Sequence, residues 1–259
     1  MLPYNTFIFD IETVADTGGY RLLHPELAEL PDADILAIMQ NERLAASGST
    51  FMRHHLHKIV AISVAFKHGE QFALWSLGDS SSDEAELVRR FFQGLDKYSP
   101  VLVSWNGGGF DLPVLQYRAL IHGIAAQRYF EIGDDDRDFR YNNYLSRFHW
   151  RHIDMMDVMS AFQPRSSASL NDIALLCGFP GKIGIDGSAV QGLYDAGEIG
   201  RIRAYCETDV MTTYLVYLRF EHLRGLLSDD AYAREIAKAR DWLAAREEAH
   251  WQEYLAAWK

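Results

Sequence analysis

Two cysteines, Cys177 and Cys206, are too few in 259 residues for a disulfide framework or a cysteine zinc site, so the core must hold the chain together. Long apolar runs are also missing. None approaches the roughly 20 residues a spanning helix needs, and the N-terminus lacks the charged start and apolar stretch of a signal peptide. A cytoplasmic protein with no membrane partner is therefore expected. Basic charge is the third shortage: acidic residues outnumber basic ones by 36 to 25, which argues against coating nucleic acid by charge alone. A nuclease is not excluded, because a carboxylate site is negative until divalent ions bind, and a few placed Arg and Lys side chains can supply phosphate contacts.

Core-forming material is plentiful, with 48% hydrophobic and 13% aromatic residues. Residues 7–13 read as a buried strand interrupted by Asp10 and Glu12. The side-chain period of a strand is two, so both carboxylates share one face while Phe9 and Ile11 point into the opposite layer. Burying an unpaired carboxylate costs several kcal/mol and is seldom done without a cation. Two readings stand at this point: a strand end with Asp10 capping a turn, or a metal site whose remaining acids lie further along.

Residues 16–40 look like loop and helix interrupted by Pro31, a peripheral insertion. Residues 58–66 and 71–77 read as a hairpin around His68-Gly69-Glu70. Ser81-Ser82-Asp83-Glu84 predicts a Ser-capped helix start, and residues 101–104 a fourth strand. Asn106-Gly107-Gly108-Gly109-Phe110-Asp111 follows at once, with Pro113 where a first helical turn tolerates a missing N–H. Residues 131–143 read as a polar surface loop, 152–154 as a fifth strand, 155–162 as a helix, and Ser169 as a further cap. Residues 179–192, which carry Pro180, Gly181, Gly184 and Gly187, read as a loop; residues 198–224 are strongly helical, and 229–258 predict one last amphipathic helix. Strands crowd the first half and alternate with helices afterwards, which predicts a mixed α/β sheet of about five strands flanked by helices, with a helical C-terminal extension.

Three carboxylate segments then stand out: Asp10 with Glu12, Asp111 at a strand-to-helix junction, and Asp209, with Tyr205 one turn before it on the same helix face. Acids on three separate elements suit magnesium, which takes hard oxygen ligands and keeps several waters. In order and content, Asp10-x-Glu12, Asn106 to Asp111 and Tyr205-x-x-x-Asp209 resemble the three motifs of the DEDD superfamily of 3′–5′ exonucleases. The resemblance is to the tyrosine branch, and specifically to stand-alone proteins related to the proofreading domain of family B DNA polymerases. The histidine branch would place His where Ala204 stands. One departure is Gly109, where those polymerase exonucleases usually have a second Asn.

The resemblance implies a ribonuclease H-like domain over residues 1–225, with residues 226–259 a C-terminal helix packed on it. It implies two Mg²⁺ or Mn²⁺ ions held by Asp10, Glu12, Asp111 and Asp209, with Tyr205 orienting the attacking water, and removal of nucleoside 5′-monophosphates from a single-stranded 3′ end, DNA before RNA. Substrate contacts are expected from Asn106, Phe110, Ile11, Thr13, Lys182 and Arg147. The length leaves no room for a polymerase, so a free-standing enzyme is expected unless a polymerase or helicase recruits it. The alternatives are an endonuclease on the same fold and an inactive nucleic-acid-binding module.

Other candidates stay second. His54, His55 and His57 lack a fourth zinc ligand and read as surface or phosphate-facing side chains. Asp154 and Asp157 either approach the metals or serve as a helix cap and first-turn charge. Glu207 lies off the Tyr205–Asp209 face and reads as solvated. The Arg and aromatic residues of 137–151 form either a single-strand platform or rings packed on the domain.

Overall fold

An apolar run broken only by its acids makes Thr6–Ala15 the central strand, β1, of a five-stranded mixed sheet in the computed structural model, which describes residues 5–259. The other strands are β2 (His57–His68), β3 (Gln71–Ser76), β4 (Val101–Ser104) and β5 (His152–Asp154), in the spatial order β3-β2-β1-β4-β5. β1 pairs antiparallel with β2 and parallel with β4, and β5 continues the parallel side. This is the mixed five-stranded sheet flanked by helices expected from the sequence. Its helices are α1 (Thr17–Leu23), α2 (Asp32–Ser47), α3 (Glu84–Tyr98), α4 (Asp111–Ile121), α5 (Met155–Met159), α6 (Leu170–Leu176), α7 (Val190–Asp195), α8 (Ile199–Leu223), α9 (Asp229–Ala244) and α10 (Ala249–Ala257).

The alternation along β1 sorts its side chains between two layers. Phe7, Phe9 and Ile11 pack with Phe91, Phe92 and Leu95 of α3 and Leu115 of α4, while Ile8 packs with Val210, Met211 and Tyr214 of α8. Each fully buried side chain of this size contributes about 1.5–3 kcal/mol. Asp10 and Glu12 share the face of Ile8 and so turn towards α8. The β1–β2 register slips between Glu12 and Thr13, so that Thr13 pairs with Ile59 and Val60 is the extra residue. Glu84 Oε1 takes the Ile59 N–H at 2.6 Å, and the buried Arg118 guanidinium joins Glu84 to Asp16.

Four local expectations need correction. Asp83, not Ser81, caps α3, its side chain accepting the Glu86 N–H. Pro31 does not interrupt a helix but stands at the N-cap of α2, where its missing N–H costs nothing. α5 ends at Met159, and Ala161 and Phe162 follow with left-handed φ of 51° and 61°. The single last helix is two: the break after α9 turns α10 back so that Trp251 and Tyr254 reach the core and the Tyr254 hydroxyl meets Thr212 of α8 at 2.8 Å. A buried ion pair, Lys67 to Glu235 at 2.9 Å, also ties α9 to the sheet. No helix among the described residues is long and apolar enough to cross a membrane.

Candidate active site

Asp10 and Glu12 meet α8 where that helix presents Tyr205, Cys206 and Asp209. The Cys206 thiol donates to the Asp10 carbonyl oxygen at 3.4 Å and lies 3.7 Å from its Oδ2. One ligand atom each from Asp10, Glu12 and Cys206 fall within 4.8 Å of one another. Spacing alone did not single out Cys206 for the site, because it read only as part of the apolar stripe of its helix.

Asp111 arrives from the other side. Parallel pairing of β1 with β4 covers only Thr6 to Ile8, which leaves the Ile11 N–H beyond the ladder. Asp111 Oδ1 accepts it at 3.2 Å, so this carboxylate is anchored to the backbone between the two β1 acids. The turn that delivers it is tight. Asn106 has a left-handed φ of 66°, and any Cβ on Gly107 would collide with the Ser104 side chain. A side chain at Gly109 would meet the Asn106 amide, so the asparagine usual there in polymerase exonucleases would require Asn106 to move.

Asp154 holds this turn in place. Beyond capping α5 through the Asp157 N–H, its carboxylate accepts the N–H groups of Asn106 and Gly108, each at 2.9 Å. The signal for this was topological: the β4–β5 register sets Ser104 beside Asp154, at the mouth of the Asn106 turn.

On α8, Tyr205 and Asp209 lie one turn apart and both are buried. Lys182 Nζ donates to the Tyr205 hydroxyl at 2.6 Å and stands 3.8 Å from Asp209 Oδ2. Its own backbone N–H is held by Asn171 Oδ1 at 2.8 Å. Glu207, expected in solvent, instead accepts from Ser76 N and Oγ at 3.0 and 2.7 Å and pairs with His250 of α10 at 3.0 Å. The folded-back α10 is what brings His250 there.

The electrostatics are those of crowded, buried acids. Burial first, then repulsion from Asp111, Glu12 and Asp209, pushes the Asp10 carboxyl well above its ordinary range. Burial and Asp209 do the same to Glu12, with Lys182 opposing. Burial lifts Asp111 to about 7 against the N–H bonds of its own amide and Ile11. Asp209 is raised by burial and held down in part by Lys182 and Tyr205. Burial and the neighbouring acids raise the Tyr205 phenol, which stays protonated. A set of carboxylate oxygens that repel one another in this way is a donor set suited to divalent cations.

Residues 49–258 match the family described as a predicted 3′–5′ exonuclease related to the exonuclease domain of PolB. The chain belongs to this family. The matched span holds Asp111, Tyr205 and Asp209, whereas Asp10 and Glu12 precede it. The DNA polymerase epsilon catalytic chain of Schizosaccharomyces pombe is 25% identical over 144 residues, covering 54% of this chain and 6% of the polymerase. That of Kluyveromyces lactis is 25% identical over 159 residues, 59% of this chain and 7% of the polymerase. The family B DNA polymerase of the archaeon Pyrobaculum calidifontis overlays with a TM-score of 0.49 at 18% identity, over 82% of this chain and 24% of that one. The chain thus spans less than a tenth of the polymerase epsilon chains it matches.

The other residues expected to contact substrate divide. Thr13 Oγ1 bonds His57 Nδ1 at 2.9 Å, and the His57 ring meets Phe110 edge-on at 5.0 Å, so Thr13 and Phe110 stand together beside the acids. Both His57 nitrogens are engaged, Nε2 with Met52 O at 3.3 Å, and the three histidines form no metal group among the described residues. Arg147 pairs with Asp157 at 2.6 Å and lies over the rings of Phe148 and Phe162, committed rather than free. In the rest of that segment, Tyr144 donates to Pro100 O and Arg151 lies over Phe139, so these pack on the domain, while Tyr141 and Phe148 stay exposed.

Proposed function

We propose that this chain is a divalent-metal-dependent 3′–5′ exonuclease that releases nucleoside 5′-monophosphates from single-stranded nucleic acid. The observation that carries the reading is the convergence of Asp10, Glu12, Asp111 and Asp209 from three elements, with Tyr205 one helical turn from Asp209. These four acids would hold two magnesium or manganese ions, whose hard oxygen preference they meet. When bound, such ions activate water and stabilise the leaving oxygen of an in-line displacement.

The remaining work falls to the chain's own side chains. Tyr205, kept protonated, orients the attacking water rather than acting as a bulk base. Lys182 is a positioning residue: it fixes the Tyr205 hydroxyl and offsets the charge of Asp209. Asp154 positions Asn106 and, through the same turn, Phe110, whose ring would receive the terminal base. DNA is preferred over RNA on the likeness to DNA polymerase chains, and a polymerase or helicase is the partner class such an activity would serve.

Digestion of a 5′-labelled single strand with Mg²⁺ or Mn²⁺ tests the reading. Stepwise shortening by the native protein, lost in Asp209→Ala, is expected. No shortening, or undiminished shortening by the variant, overturns it, and cleavage of a circular strand would move the activity to an endonuclease.

A further inference from the structure

The segment between α2 and β2 brings Phe51 to the edge of the site, and the chemistry proposed above leaves it unused. α2 ends on Gly48 with a left-handed φ of 72°, and the chain then turns back towards Phe110. Phe51 is 54% exposed, yet its backbone is fixed on both sides. Its N–H donates to Ser49 Oγ at 3.1 Å and its carbonyl accepts from Arg43 Nε at 2.7 Å. The ring is fixed too, with centroids 5.3 Å from Phe110 and 4.9 Å from His57. A large apolar ring held open to water, touching the residue before Asp111, is preorganised to receive a flat partner.

We propose that Phe51 carries the nucleobase next to the terminal one, and that its tilt against Phe110 makes the site select an unstacked single strand over a duplex end. This rests on the exonuclease reading, in which Phe110 receives the terminal base. The two ring planes are 53° apart. Bases lying flat on each are turned from one another by a similar angle and cannot stay stacked. A single strand splays at little cost, whereas a duplex end must first unstack and unpair. The segment between α2 and β2 thereby contributes to substrate choice.

Binding and chemistry are measured separately. Binding of a labelled short single strand is followed by fluorescence anisotropy with Ca²⁺ in place of Mg²⁺, for the native protein, Phe51→Ala and Phe51→Trp. The same strand carrying an abasic site at its penultimate position is run beside it. Phe51→Ala is expected to weaken binding about tenfold, within the range of one lost base–ring stack, and Phe51→Trp to restore it. The abasic strand should weaken native binding similarly and weaken Phe51→Ala no further. The preference for single strand over a blunt duplex should fall in Phe51→Ala. Binding by Phe51→Ala within about twofold of native, or an abasic penalty that persists in it, overturns the proposal. A native protein that binds the strand but does not shorten it when Mg²⁺ or Mn²⁺ is supplied overturns the exonuclease reading alone, and one that does not bind overturns both.

Discussion

Asparagine in place of Asp111 is expected to raise the melting temperature of the metal-free protein at pH 8 and to remove its response to divalent cations. Asp111 is 4% exposed, and burial lifts its carboxyl from 3.8 to about 7, with Asp154 adding to the rise. The folded pKa lies above the unfolded one, so the folded state binds the extra proton and stability falls as pH rises between about 4 and 7. At 1.36 kcal/mol per pH unit the interval from 3.8 to about 7 amounts to about 4 kcal/mol at pH 8. This is a ceiling, because neighbouring acids share the repulsion. Asparagine keeps an oxygen for the Ile11 N–H but carries no charge. With about 2–4 °C per kcal/mol in a chain near this size, the variant should melt up to about 8–16 °C above native at pH 8, the difference closing near pH 4. The assay is thermal unfolding in EDTA from pH 4 to 8, repeated with Mn²⁺. Cation at 100 times its Kd adds about 2.7 kcal/mol to the native protein and should add far less to the variant. A variant that melts below native at pH 8 without metal, a difference that does not change with pH, or equal gains with Mn²⁺ would refute the reasoning.

Lys182→Met should lower kcat about tenfold with little change in KM, from loss of about 1.5 kcal/mol of charge-assisted hydrogen bonding to Tyr205, the low end because Lys182 is 38% exposed. Steady-state kinetics on a single strand read this, and an unchanged kcat counts against the positioning role. Asp154→Ala strips an acceptor from three N–H groups and should cost about 3–5 kcal/mol in urea unfolding, with Asp154→Asn losing less because one oxygen remains. Equal losses in the two variants would show that the turn is held by something else. Lys67→Met leaves the buried Glu235, among the described residues, with Lys238 at 3.1 Å and should destabilise by about 3 kcal/mol, most of it recovered when Glu235 is also made Leu. A double variant no better than the single one would contradict this.

What spacing could reveal is confined to what one element decides by itself. Period two on β1 placed Asp10 and Glu12 on a common face, and i to i+4 spacing on α8 placed Tyr205 with Asp209. The sheet was readable for a similar reason, since the strands are short apolar runs bounded by turn residues. Reading failed where a contact joins distant segments. Glu207 read as solvated because its partners, Ser76 and His250, lie 131 and 43 residues away. Asp154 read as a local cap because its N-cap bond is local, while its bonds to Asn106 and Gly108 span 48 and 46 residues. The last helix read as continuous because residues 245–248 contain neither Gly nor Pro, and only core space for Trp251 and Tyr254 makes them bend.

By itself, the sequence determined the acids, their faces and the order in which the elements that carry them occur, because side-chain period and helical spacing are properties of a few consecutive residues. Tertiary structure alone decided that the acids converge: β1 stops pairing with β4 at Ile8, which frees the Ile11 N–H for Asp111, and α8 crosses the same face to bring Asp209 and Tyr205 within reach of Lys182. It also decided how the acids ionise, since their repulsion depends on burial and on separations that no spacing along the chain records.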